Sequence, residues 1–143
     1  MNSLAGSLDT NVILRLLLKD VAQQYVTALE LLKSTTNQFA VADAAIIETA
    51  FVLNRYYKFN RPQIAEAVSG LMSLTQINCN RSLFSQALPL YRKYPSLSFE
   101  DCCLAVYAEL NGALPLWTFD KKLAKQAPGA RLVAKKNEAA TRR

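Results

Sequence analysis

The sequence predicts an α/β fold built around a short, mostly parallel sheet. Two observations carry this prediction. Short apolar runs suited to strands alternate along the chain with longer helical stretches, and no repeat or interdomain linker interrupts the alternation. A chain of 143 residues is long enough to bury a core without disulfide or metal staples. One domain is therefore expected over residues 1–134, with a polar, basic and flexible tail over 135–143.

The elements follow in order. Leu4 to Leu8 reads as a strand leading to Asp9, and an apolar helical run follows over 11–18. Asp20 and Gln23 have the spacing of a capping box that would open a helix over about 21–34. A second strand is expected from Asn37 to Ala42, then a long helix after Asp43 reaching Tyr57. Pro62 suits the first turn of a helix extending to Leu74, and Thr75 to Cys79 is a third strand. Asn80 caps the next helix, which Pro89 is expected to end or kink before Tyr94. Ser98 opens a helix through Asn111, and Gly112 stands where a residue of left-handed conformation would stop it. Leu114 to Phe119 is a strand, Asp120 starts a short helix to Gln126, and Ala130 to Ala134 is a last edge strand.

Composition excludes several chemistries. The chain has no histidine, which removes serine and cysteine triads, imidazole acid–base catalysis and histidine-ligated zinc. Cys79, Cys102 and Cys103 give neither a disulfide framework nor zinc spacing, which fits a reducing cytoplasm. No apolar run approaches the roughly 20 residues that span a bilayer, and the greasy stretch from Val12 to Leu18 lacks a preceding basic segment. No membrane association and no signal peptide are expected. Hydrolytic chemistry must then rest on carboxylates, lysines, hydroxyls or an oxygen-held metal.

The balance of 17 bases against 11 acids gives a net charge of +6, which favours a polyanionic partner. If four acids line one pocket, 17 bases face only seven acids elsewhere. Four acids are the candidates. Asp9 and Asp120 each end an expected strand, and sites in open parallel sheets form beyond the strand carboxyl ends. Each also suits a plain helix cap, as does Asp101, three residues after Ser98. Glu48 has no such explanation. It lies mid-helix with Ala44, Ala45, Phe51 and Val52 as its neighbours one turn away, so it is expected on an apolar, buried face where a carboxylate needs a partner.

The chain resembles the PIN domain superfamily, and especially the VapC-type toxins of toxin–antitoxin pairs. The resemblance runs from about Leu8 to Leu123. It rests on Leu8-Asp9-Thr10-Asn11-Val12, on Ile47-Glu48 followed by Val52-Leu53, and on Phe99-Glu100-Asp101 leading to Ala105 and Ala108. It continues with Gly112-Ala113 and Leu116-Trp117-Thr118-Phe119-Asp120. It implies a three-layer α/β/α fold in which Asp9, Glu48, Asp101 and Asp120 are metal-binding, catalytic acids. Asn11 and Thr118 would support the site. Departures are small: a slightly long N-terminus, and no antitoxin segment in the chain.

An all-oxygen cluster suits Mg²⁺ or Mn²⁺ rather than zinc or copper. The resemblance implies hydrolysis of RNA phosphodiester bonds, a homodimer, and a small antitoxin whose tail covers the acidic pocket. Arg15, Lys19, Lys121 and Lys122 are candidate RNA contacts, although each also suits a solvated surface. Among rivals, a haloacid-dehalogenase-like phosphatase wants a second acid at position 11, where Asn11 stands, and a receiver domain wants an adjacent acid pair after its first strand. A PIN-like module that binds RNA or protein without cutting, and a PIN nuclease of RNA processing, remain the alternatives.

Overall fold

A computed structural model describes residues 3–134; the expected tail over 135–143 lies outside the described residues. Seven helices and five short strands form a mixed α/β protein. The chain divides into two compact units, Met1–Ser85 and Gln86–Arg143.

The first unit contains β1 (Gly6–Ser7), α1 (Thr10–Leu18), α2 (Ala22–Lys33), β2 (Phe39–Ala40), α3 (Asp43–Tyr57), α4 (Arg61–Ser73) and β3 (Ile77–Asn78). The three strands pair in parallel in the order β1-β2-β3, with Gly6 opposite Phe39 and Phe39 opposite Ile77. Parallel neighbours require a crossover, and helix pairs supply it: α1 and α2 between β1 and β2, α3 and α4 between β2 and β3. Alternation puts Phe39 and Ile77 in the core while Ser7 and Asn78, one residue on, are exposed. Ile13, Ile46, Leu53 and Ile64 are fully buried and give α1, α3 and α4 their inner faces. Arg81 fastens the end of α4 to β3: its guanidinium donates to the carbonyls of Met72 at 2.6 Å and Ile77 at 2.9 Å.

One expectation fails here for an identifiable reason. The Asp20–Gln23 box does not form, and α2 starts after Val21 with no side-chain cap. Asp20 is instead bound by Arg15, with a nitrogen–oxygen distance of 3.1 Å, so the charge-assisted pair takes the carboxylate from the amides. Pro89 lies inside α5, which runs from Arg81 past the proline to Lys93 and stops before Tyr94. The proline is exposed while Leu88 and Tyr91 beside it are buried, so packing on the other face offsets the one lost amide bond.

The second unit contains the rest of α5, then α6 (Phe99–Leu110), β4 (Leu116–Thr118), α7 (Lys121–Gln126) and β5 (Ala130–Leu132). Strands β4 and β5 form a separate two-stranded parallel sheet with Trp117 opposite Arg131. Helix α6 ends as the sequence requires. Gly112, at φ +61°, takes the left-handed conformation, and the amides of Gly112 and Ala113 donate to the carbonyls of Glu109 and Ala108. Its inner face buries Phe99, Cys102, Cys103 and Val106, with Phe99 edge-on to Tyr91 at 5.4 Å between ring centroids. Among the described residues no helix is long and apolar enough to cross a membrane.

Helix α3 offers a direct test of which face carries the fold. Leu53→Ala, at a position with 0 % exposure, is expected to cost about 2–5 kcal/mol in urea unfolding. Phe51→Ala, at 54 % exposure on the same helix, is expected to change stability by about 0.5 kcal/mol or less.

Candidate active site

The acidic site begins where β1 gives way to α1. Leu8 is buried as the last inward residue of the strand, and Asp9 follows in extended backbone at the helix N-cap. Asp9 Oδ1 accepts from the Val12 amide at 3.1 Å. Its Oδ2 has no hydrogen-bond partner among the described residues. The cap fixes the side chain with one oxygen and leaves the other available.

Glu48 lies on α3 and is exposed, not buried. This corrects the expectation drawn from its apolar neighbours. Ala44 and Phe51 are themselves exposed, so the flanking apolar surface is solvent-facing. Glu48 makes no hydrogen bond or ion pair with any described residue. It shares a 610 Å³ pocket with Asp9, Thr10 and Asn11. Within the first unit the structure therefore brings together four of the predicted residues: Asp9, Asn11, Arg15 and Glu48.

The rest of that pocket's wall comes from Arg15 and from four residues the sequence does not single out as site residues: Leu14 on α1 and Val52, Tyr56 and Tyr57 on α3. Glu48, Val52 and Tyr56 are spaced by four residues and form one helical stripe, a signal present in the sequence. Arg15 is fixed in place. One terminal nitrogen reaches Asp20, and the other donates to the Tyr57 hydroxyl at 3.3 Å. The hydrogen bond to Tyr57 holds the guanidinium pKa above its ordinary value, with the Asp20 charge adding to it and desolvation opposing. Its Nε is buried without a hydrogen-bond partner. Lys19 ends α1 in left-handed backbone and places its ammonium 5.4 Å from the Tyr25 ring centroid.

The second unit holds the other two acids, each again at a helix start. Asp101 is the third residue of α6: its amide donates to Ser98 Oγ at 3.0 Å, and its Oδ2 accepts from the Ser98 amide at 3.2 Å. Asp120 caps α7, with Oδ1 accepting from the amides of Lys122 at 2.9 Å and Leu123 at 3.2 Å. Thr118 Oγ1 accepts from the Asp120 amide at 2.9 Å, which fixes the turn between strand and helix. Asp101 Oδ1 and Asp120 Oδ2 have no hydrogen-bond partner among the described residues. Lys121 and Lys122 are exposed in the first turn of α7.

The donor set is carboxylate oxygen throughout, which matches a hard divalent cation. Asp9 and Glu48 provide two such donors in one pocket. Among the described residues no group of three or more acids, cysteines or histidines is gathered closely enough to hold a metal ion. Cys79 is no substitute ligand: burial pushes its thiol pKa up, away from the reactive thiolate.

Comparison with curated protein sequences gives no match. The model of the PIN domain family, a nuclease-type fold that generally uses divalent metal ions, matches residues 7–128. That span takes in both units and all four acids, from the junction before α1 to the end of α7, and the chain belongs to the PIN domain family.

Proposed function

We propose that the chain is a divalent-metal-dependent endoribonuclease in which Asp9, Glu48, Asp101 and Asp120 are the catalytic, metal-holding acids and Mg²⁺ or Mn²⁺ is the ion. The observation that carries this reading is the pocket shared by Asp9 and Glu48. Two carboxylates facing one recess repel each other unless a cation or a proton intervenes. Among the described residues Glu48 has no hydrogen-bond or ion-pair partner, and Asp9 keeps one oxygen unbonded. A bound ion would supply a Lewis acid for the scissile phosphate and a water acidic enough to serve as nucleophile.

The chain's own groups hold the acids in place. The Val12 amide orients Asp9, the Ser98 amide orients Asp101, and the Lys122 and Leu123 amides orient Asp120. Asn11 stands beside Asp9 in the pocket, and Thr118 secures the backbone of Asp120. Lys19, Lys121 and Lys122 are the proposed RNA contacts. Arg15 is less suited to that task, because both terminal nitrogens are already engaged.

The motif resemblance supports the finer assignment: a VapC-type toxin acting on RNA in the cytoplasm, as a homodimer, restrained by a small antitoxin that covers the acidic pocket. One observation favours a second reading. No three metal-ligating side chains are gathered among the described residues, as suits a PIN-like module that binds RNA or protein without cutting. A PIN nuclease of RNA processing would use the same acids without an antitoxin.

Cleavage of single-stranded RNA in Mn²⁺, abolished by excess EDTA, is the expected result; equal cleavage in EDTA would exclude the metal reading, and no cleavage in either would favour the binding module. Glu48→Gln should lower the Mn²⁺-dependent rate by about 100-fold or more, since even groups supporting a metal ligand contribute roughly 10- to 100-fold. At this exposed position it should shift unfolding by no more than about 0.5 kcal/mol. Asp101→Asn should lose the same activity yet keep an amide oxygen for the Ser98 amide, changing metal-free stability by less than about 1 kcal/mol. Asp101→Ala removes that acceptor and should cost about 1 kcal/mol, measured by urea unfolding.

A further inference from the structure

The outer face of the β4–β5 sheet carries a feature that the carboxylates do not use. Trp117 and Arg131 are direct cross-strand partners, and the Arg131 guanidinium lies 5.7 Å from the indole centroid. Strand alternation turns Leu116 and Thr118 to one side and leaves Trp117 on the other, 56 % exposed. Phe119 follows and is 79 % exposed, the most exposed large apolar side chain among the described residues. Two aromatic rings so close together in water contribute little to a core, and such exposure marks a surface that meets something.

Beside them lies a 440 Å³ groove lined by Lys121, Lys125 and Arg131, with no acid in its walls. Lys121 and Lys125 are four residues apart on α7 and so stand on one face. Neither has an ion-pair partner among the described residues. Arg131 joins the two features, lining the groove while it stacks against Trp117.

We propose that Trp117, Phe119, Lys121, Lys125 and Arg131 form a binding platform for single-stranded RNA: the rings stack unpaired bases and the three cations follow the phosphates. The proposal rests on the ribonuclease reading and adds a strand-selecting surface to it. A groove walled by three cations and no acid calls for an anionic occupant rather than a second basic copy of the same groove. Duplex RNA keeps its bases stacked internally and offers these rings nothing, so selectivity for single strands follows. Asp120 stands three residues beyond Trp117, about 10 Å along an extended chain, so bases held here lie within two nucleotides of that acid.

Trp117 is the only tryptophan in the sequence, so its fluorescence reports on the platform alone. The full chain in EDTA is titrated with a 12-nucleotide oligouridylate, a matched RNA duplex, inorganic polyphosphate, and vesicles of anionic lipid. Saturable quenching by the single strand, at least tenfold tighter than by the other three, is expected. Phe119→Ala and Arg131→Ala should each weaken binding of a labelled oligouridylate about fivefold or more, read by anisotropy, with unchanged circular dichroism. Absence of quenching, equal affinity for duplex, polyphosphate or vesicles, or a change driven by protein concentration alone would overturn the platform. Mn²⁺-dependent cleavage without quenching removes the platform and keeps the nuclease, whereas quenching without cleavage keeps the platform and removes the nuclease.

Discussion

The start of a helix leaves amide groups without partners, and in this chain aspartates satisfy them at the points where function is proposed. Asp9 and Asp120 each stand between a parallel strand and the helix that follows it, and Asp101 sits in the first turn of α6. A carboxylate there accepts amide hydrogen bonds and is oriented by them before any metal or substrate arrives. Each of the three spends one oxygen on the backbone and keeps the other unbonded among the described residues. Capping and metal binding are thus compatible duties of one side chain. Replacing any of these aspartates touches both, which is why an isosteric amide separates the two better than alanine does.

Glu48 follows a different logic. It caps no helix and pairs with none of the described residues, and it is exposed to solvent. Opposite it in the pocket, Arg15 is committed to Asp20 and Tyr57. That pairing sets the Arg15 charge against Asp20 and leaves Asp9 and Glu48 as the un-neutralised charges of the pocket, where a cation would be attracted.

Local chemistry was legible wherever the decisive partners were near in sequence. Asp9, Ser98 with Asp101, Asp120 and Gly112 all behave as their neighbours demand, because caps and turns are settled within about four residues. Failures came where a more distant partner intervened or where only one face of a helix was visible. Asp20 carries the spacing of a cap but answers to Arg15. Glu48 was expected in the core because its neighbours one turn away are apolar, yet an apolar surface can face a pocket as well as a core. Five strands were placed correctly but drawn too long, since a strand's ends depend on which partner lies alongside rather than on its own residues.

The pairing of Trp117 with Arg131 was least visible of all, since it depends on the register of β4 against β5 across a helix. Its consequence bears on how a basic protein handles a polyanion. Arg15 and Lys19 are both engaged, one by Asp20 and Tyr57 and the other over Tyr25. The cations left unpaired among the described residues include Lys121 and Lys125, which share a groove with Arg131, the cross-strand partner of Trp117. Electrostatic attraction alone cannot tell a single strand from a duplex, because both present phosphates. Stacking can, because only the single strand offers open ring faces. A net charge of +6 draws the polyanion in, and an exposed indole stacked on one cation of a basic groove gives the surface a way to choose among polyanions.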